Sequence, residues 1–218
     1  AGMAAMIRKN LYTCISGETG APVASRFQIA SQITRTSYVT HHSAMEFYGI
    51  TDQVFYDVYV ASETEFKNFL FDGYTFRYIK PRISEGVDMP AYSGGVRVTD
   101  RERTLLDCIK DMDKISGSEE VVANIESMGK VNEAKLVKYL SLYDNQFLYQ
   151  KTGFLLSKVQ DQLGLSDAFF SLCQEKAGKS TRYLSSDYKT GNFSSEWGLV
   201  IPENLFQAKN GGMLNADI

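Results

Sequence analysis

The sequence has 218 residues and a formal net charge of −3, with 44% hydrophobic and 22% charged residues. This length is enough for one large domain or two small ones with a substantial core. No run of about 18 apolar residues and no signal-peptide pattern is present, which excludes a membrane-spanning helix and favours a cytoplasmic protein. The three cysteines are far apart in the sequence, so we expect free, buried thiols and no structural zinc.

Short strands and helices are predicted in the first part of the chain. Residues 7–15 alternate and are rich in strand-forming side chains, which predicts one strand. Apolar residues within 27–33 have the spacing of a short helix. Tyr38 and Val39 indicate a brief strand, and Thr40 is placed to cap the helix that follows.

Three further strands are expected before residue 100. Residues 53–62 alternate with apolar side chains on both faces, which is typical of a strand that is covered on both sides. The pair Asp72 and Gly73 is a turn signal, and residues 74–82 and 95–100 then predict two more strands. Together these strands would form a mixed or antiparallel sheet.

From Thr99 onward the apolar period becomes helical, with steps of three and four residues. We expect a series of helices, among them one long helix over 147–164 and a helix capped by Ser166. A final short strand over 197–201 is expected to return to the sheet. Strands followed by helices predict an α+β fold: a small mixed or antiparallel sheet with flanking helices, followed by a helical subdomain.

The segment VTDRERTLLDCI is dense in charge and could be the start of a helix or an acidic catalytic site. With Thr99 as N-cap, Glu102 would complete a capping box, and Asp100 would interact favourably with the helix dipole. Arg103 and Asp107 are four residues apart and would pair on the helix surface. The local interpretation therefore explains all three carboxylates, and a metal-dependent nuclease or nucleotidyl transferase using them is kept as an alternative.

The adjacent histidines His41 and His42 are the only two in the sequence. Neighbouring residues on a helix diverge by about 100°, so they do not present two ligands to one metal. We expect a structural role near the start of the helix, where an imidazole bonds a backbone group. A catalytic base or a partner contact is the alternative.

The glycines do not form a phosphate-binding loop, because neither GxGxxG nor GxxxxGK[ST] is present. No cofactor and no metal is predicted. In KSTRYLSSDYK, the basic residues Lys179, Arg182 and Lys189 are interleaved with hydroxyl and aromatic side chains. They are candidates for contact with a phosphate or an acidic protein surface, and a solvated loop is the alternative.

Three segments together resemble one family. YVTHHSAMEFYGITDQVFYDVYVAS, FDGYTFRYIKP and GGVRVTDRERTLLDCIKD are similar to the effector domain of AbiEi-type antitoxins, predicted transcriptional regulators of phage-defence (abortive infection) loci. The last segment matches the family phrase "v-s-d-x-E-R-T-l-l-D" with Thr99, Glu102, Arg103, Thr104 and Asp107. The resemblance covers about residues 7–187.

The resemblance implies an N-terminal winged helix-turn-helix that binds operator DNA, and a domain that counteracts a nucleotidyltransferase-like toxin. MIRKNLYTCI looks like the segment that leaves the wing, so we expect the DNA-reading helices to lie outside this chain. Arg8 and Lys9 would then be the remaining candidates for DNA-backbone contacts. We expect a wing remnant and linker strand over 1–16, an α+β antitoxin core over 17–116, a helical subdomain over 117–190, and a C-terminal strand and tail over 191–218.

The predicted function is a non-enzymatic antitoxin and transcriptional autoregulator of a toxin-antitoxin operon. Its partners would be the toxin and, through the winged helix, operator DNA. Besides the metal-dependent enzyme, a domain that senses a small ligand is an alternative.

Overall fold

The computed structural model describes residues 3–51, 53–115, 117–186, 188, 190–203 and 205. The chain divides into two compact units, unit 1 (Ala1–Thr104) and unit 2 (Leu105–Ile218). The candidate partner residue Lys189 lies outside the described residues. The four-part division expected from the sequence stays a prediction.

Unit 1 begins with a β-hairpin where the sequence predicts one strand. Strand β1 (Met3–Arg8) pairs antiparallel with β2 (Leu11–Ile15). Asn10, in the turn between them, has a φ of 65°, a conformation that Asn adopts more readily than most residues. The prediction of a single strand over 7–15 is therefore wrong, because the alternating pattern does not reveal that the chain reverses at Lys9 and Asn10.

The described part of unit 1 contains a mixed six-stranded sheet. Its strands follow the order β5-β6-β4-β3-β8-β7. The pairs β4–β6 and β3–β8 are parallel, and the other neighbours are antiparallel. The strands are β3 (Tyr38–Val39), β4 (Asp57–Ala61), β5 (Phe69–Phe71), β6 (Tyr74–Ile79), β7 (Val87–Asp88) and β8 (Val98–Thr99). The predicted α+β fold with a mixed sheet and flanking helices is confirmed.

Two short helices lie in unit 1, α1 (Arg26–Gln32) and α2 (His41–Phe47). A capping box starts α1, in which Ser25 and Gln28 each bond the backbone N–H of the other. The predicted cap Thr40 is the N-cap residue of α2, although its side chain makes no capping hydrogen bond. The core of this unit combines aliphatic side chains of the central strands with aromatic side chains, among them Val39, Val58, Val60, Phe76 and Val98.

Helix α3 (Arg101–Lys110) contains the division between the two units. The other helices of unit 2 are α4 (Met112–Ile115), α5 (Ser118–Ser127), α6 (Glu133–Tyr143), α7 (Gln146–Ser157), α8 (Gln160–Leu163) and α9 (Asp167–Lys176). The long helix expected over 147–164 is thus two helices, because Val159 leaves the helical conformation with a φ of −135° and a ψ of 29°. Ser166 caps α9, as predicted.

A separate three-stranded sheet follows α9. Strand β11 (Leu199–Ile201) pairs parallel with β9 (Arg182–Tyr183) and antiparallel with β10 (Asn192–Ser194). The expectation that the C-terminal strand returns to the main sheet is therefore wrong. The Gln150 amide on α7 donates to the carbonyl oxygens of Gly178 and Trp197, at 3.0 and 3.1 Å, and so ties this small sheet to the helix.

The structure tests two expectations from the sequence: that the cysteines are buried, and that no helix spans a membrane. Cys108 and Cys173 are buried free thiols as expected, but Cys14 is exposed on β2, where alternation turns its side chain away from the core. Within the described part of the chain, no helix is long and apolar enough to cross a membrane.

Gly153 lies at a close approach inside unit 2. A Cβ atom built on Gly153 would be 2.1 Å from a ring carbon of Trp197, the only tryptophan in the sequence. Glycine is the residue that leaves room for this indole, at a cost in helix propensity of about 1 kcal/mol relative to alanine.

We expect Gly153→Ala to lower the free energy of unfolding by about 1–3 kcal/mol, since overpacking outweighs the gain in helix propensity. Urea unfolding followed by Trp197 fluorescence measures this change. Gly17→Ala is the matched control, because nothing lies within 4 Å of the added methyl group. Equal stability of the two variants would contradict the steric argument.

Candidate functional site

The acidic motif that opens α3 forms the buried junction between β8 and the helix. Thr99 is the last residue of β8, and α3 begins at Arg101. The Asp100 carboxylate accepts a hydrogen bond from the backbone N–H of Arg103 at 2.8 Å, so Asp100 is the N-cap. The Thr99 hydroxyl instead contacts that of Thr104 at 2.7 Å. The predicted capping box, with Thr99 as N-cap, is therefore wrong. Thr99 belongs to the strand, and the cap is the next residue, Asp100.

Arg103 is buried, with 2% of its surface exposed. Its guanidinium donates to the backbone carbonyl of Glu85 and, at 3.4 Å, to the hydroxyl of Tyr38. Arginine keeps its charge under all ordinary conditions, so a buried guanidinium needs such acceptors. These contacts connect the first turn of α3 to β3 and to the segment before β7.

Asp107 is also buried and accepts a hydrogen bond from the hydroxyl of Tyr143 on α6. We expected Arg103 and Asp107 to pair on the helix surface. The surface location is wrong, since both side chains are inside the protein. Glu102 is 8% exposed and Asp100 is 4% exposed. Among the described residues, no group of three or more His, Cys, Asp or Glu side chains is arranged to hold a metal ion.

His41 and His42 lie at the start of α2, and both are buried. His41 has a φ of 53°, an uncommon conformation for a residue other than glycine, and its Nδ1 is 3.1 Å from the Thr40 hydroxyl. The His42 ring stacks on Phe55 with 4.1 Å between centroids, and its Nε2 is 3.2 Å from the carbonyl oxygen of Asp57. This backbone contact is the kind that the structural interpretation expects.

Burial lowers the pKa of His42 to about 4, although the contact with the Asp57 carbonyl acts in the opposite direction. The His42 Nδ1 atom is buried and has no hydrogen-bond partner among the described residues. The neutral ring is therefore the form that fits this site, and protonation would place an unsolvated charge between aromatic rings.

The predicted DNA-contact residues lie at the hairpin turn. Lys9 is exposed between β1 and β2, whereas Arg8 is half-buried and its guanidinium lies 5.6 Å from the ring centroid of Phe66 and 5.4 Å from that of Phe69. Only Lys9 therefore extends freely into solvent. Contact of either residue with DNA stays a prediction.

The predicted partner-binding residues Lys179 and Arg182 are both exposed, after α9 and in β9 respectively. The Arg182 guanidinium lies 5.2 Å from the centre of the Phe147 ring, a cation–π distance. The structure thus holds Arg182 against α7 while leaving it accessible. Their role in partner binding stays a prediction.

Two titratable side chains of unit 2 were missed by the sequence analysis. Lys151, in the middle of α7, is 3% exposed, and burial lowers its pKa, while Asp113 and Asp111 oppose this shift. Burial also raises the pKa of Glu120 to about 7. A charged residue inside the apolar run FLYQKTGFLL was the signal that could have identified Lys151.

A groove lies between α5 and the end of α7 and has a volume of about 250 Å³. Its lining consists of Val122, Ile125, Glu126, Leu155, Lys158 and Val159. The groove belongs entirely to unit 2, and it contains none of the candidate site residues of the sequence analysis.

We expect Arg103→Met to lower the free energy of unfolding by about 2–4 kcal/mol, because the Tyr38 hydroxyl and the Glu85 carbonyl each lose a donor inside the protein. Urea unfolding followed by circular dichroism measures the effect. Arg82→Met is the control, since Arg82 is exposed, and we expect a change within about 0.5 kcal/mol. Equal losses for both variants would show that Arg103 does not hold the junction.

Acidification provides a test of the buried His42. Between pH 6.5 and 4 the unfolded chain binds a proton at this residue and the folded chain does not, so stability rises with pH in that window and falls on acidification. We expect His42 to account for a loss of about 2–3 kcal/mol between pH 7 and pH 4. His42→Gln should remove this part of the loss in urea unfolding. Parallel pH profiles of the two proteins would contradict the assignment.

No protein-family model and no curated protein matches this sequence. The structure is similar to the crystal structure of the Rv2827c protein from Mycobacterium tuberculosis, with a TM-score of 0.58. The alignment covers 84% of this chain and 70% of that chain, with 15% sequence identity. At this identity the likeness concerns the fold.

Proposed function

We propose that this chain is the regulatory part of an AbiEi-type antitoxin. In this role it is non-enzymatic and opposes a nucleotidyltransferase-like toxin by stoichiometric binding. The longer functional unit also represses its own operon through a winged helix. The cytoplasm is the compartment in which this role operates.

The observation that carries the proposal is the arrangement of the three segments that resemble the family. They supply β3 and β4, β6, and β8, which are direct neighbours in the order β6-β4-β3-β8. Segments that are separate in sequence thus form one continuous part of the sheet. This arrangement supports the resemblance, because a chance similarity of three short phrases has no reason to assemble into one structural unit.

The bonds of the motif residues favour binding over catalysis. Asp100 caps α3 and Asp107 accepts from Tyr143, so two of the carboxylates that the enzymatic alternative requires take part in local structure. A catalytic carboxylate has to reach its substrate from a cleft. The exposed cations, among them Lys9, Lys179 and Arg182, are better placed for contact with another macromolecule.

Co-expression with the nucleotidyltransferase-like toxin that the proposal requires in the same operon tests this function. We expect the toxin gene alone to arrest growth and this chain to restore it. The double variant Lys179→Glu and Arg182→Glu is expected to remain folded and to reduce the rescue by at least about tenfold in viable count, because reversing two exposed charges weakens contact with a complementary partner surface.

The matched control for this assay is the double variant Lys138→Glu and Lys176→Glu, which reverses two charges on α6 and α9. We expect it to rescue growth as the unchanged chain does. Growth arrest that persists in the presence of the folded, unchanged chain would refute the antitoxin proposal. Rescue by all variants would refute the role of Lys179 and Arg182 alone.

A further inference from the structure

The groove between α5 and the end of α7 has an apolar floor. Val122, Ile125 and Leu155 line it and have 7%, 2% and 2% of their surfaces exposed, and Val159 is half-buried at its end. The side chains come from two helices of unit 2 and leave about 250 Å³ between them. Apolar lining of this kind gains free energy when water is replaced by an apolar group.

One cation lies at the rim of this groove. Lys158 is exposed, and its ammonium group is 5.3 Å from the centre of the Phe154 ring, which holds the side chain against α7. In the part of the chain that the structure describes, no carboxylate forms an ion pair with Lys158 within 4 Å. Glu126 on the opposite wall already has another interaction. The groove thus combines an aliphatic interior with an available positive charge.

The size of the groove limits its occupant. Its volume of about 250 Å³ leaves room for a short chain and not for a larger molecule. This is below the roughly 300–1,000 Å³ of pockets for drug-sized ligands. On the side next to the end of α5 the apolar surface stops, because Ser127 and Lys130 are polar and exposed. A protein partner would need about 800 Å² on each side for a stable interface.

We propose that this groove binds a small aliphatic carboxylate, with its chain on Val122, Ile125, Leu155 and Val159 and its carboxylate at Lys158. A medium-chain carboxylate of the size of octanoate satisfies both the volume and the charge. This proposal goes beyond the antitoxin function and is independent of it, since it concerns a ligand of unit 2 and not the toxin.

Calorimetric titration of the complete chain with octanoate, octan-1-ol and octylamine tests the proposal. We expect octanoate to bind most tightly, octan-1-ol to bind more weakly, and octylamine to show no binding. From hexanoate to octanoate the affinity should rise about twofold per methylene, since a half-open groove buries about half of each added group.

Two variants connect the binding to the groove. Lys158→Gln should reduce the affinity for octanoate to that for octan-1-ol, while Lys138→Gln, on the exposed surface of α6, should leave it unchanged. Val122→Trp should fill the groove and abolish binding of both ligands. Circular dichroism melting curves establish that each variant is folded. If the tryptophan variant does not fold, Val122→Ala replaces it; this change removes two methyl groups from the lining and is expected to weaken binding of both ligands.

The proposal is overturned if octylamine binds as well as octanoate, or if neither Lys158→Gln nor the Val122 variants change the affinity. Absence of octanoate binding at millimolar concentration also overturns it. The methyl groups of the groove can also be followed by NMR. If their signals shift when the toxin is added and not when octanoate is added, the occupant is a protein instead. None of these results changes the outcome of the growth assay, so the two proposals fail separately.

Discussion

The buried start of α3 is the constraint on which the arrangement of unit 1 depends. The buried guanidinium of Arg103 keeps its charge and therefore needs hydrogen-bond acceptors inside the protein. Two of these acceptors are the Tyr38 hydroxyl and the backbone carbonyl of Glu85. Tyr38 belongs to β3, and Glu85 precedes β7, so the arginine reaches both neighbours of β8. Asp100 fixes the helix start at the same place. A change in the pairing of β8 would therefore take two acceptors away from a buried charge.

The periodic elements of the fold were predictable, and the details at their ends were not. The switch from alternating to helical spacing near Thr99 located the end of β8 and the start of α3 to within one residue. The choice of cap was wrong because T-x-x-E and the neighbouring Asp100 are both suitable capping patterns, one residue apart. Pairing of β8 with β3 and β7 decides between them, since it keeps Thr99 in the strand. Local sequence does not contain that pairing.

The burial of charged residues was a second feature that local sequence patterns did not predict. Arg103 and Asp107 have the spacing of an exposed ion pair, but their observed partners Tyr38 and Tyr143 are 65 and 36 positions away in the sequence. Lys151 is similar, because the groups that oppose the fall in its pKa, Asp113 and Asp111, come from another part of unit 2. Helical spacing identifies which residues share a face. It does not tell whether another element covers that face.

These contacts determine where function can be sought in this molecule. The side chains of Thr99, Asp100 and Asp107 form hydrogen bonds inside the protein, so these motif residues maintain the fold. A resemblance that rests on such a motif therefore concerns the structural framework first. The proposed antitoxin role has to depend on residues that this framework leaves accessible. Lys179 and Arg182 are such residues, and the basic segment KSTRYLSSDYK marks both in the sequence. Lys158 is a third accessible cation, and no sequence pattern marks it. Their significance comes from what lies beside them: an aromatic ring that supports each of Arg182 and Lys158, and, at Lys158, an apolar groove of limited volume.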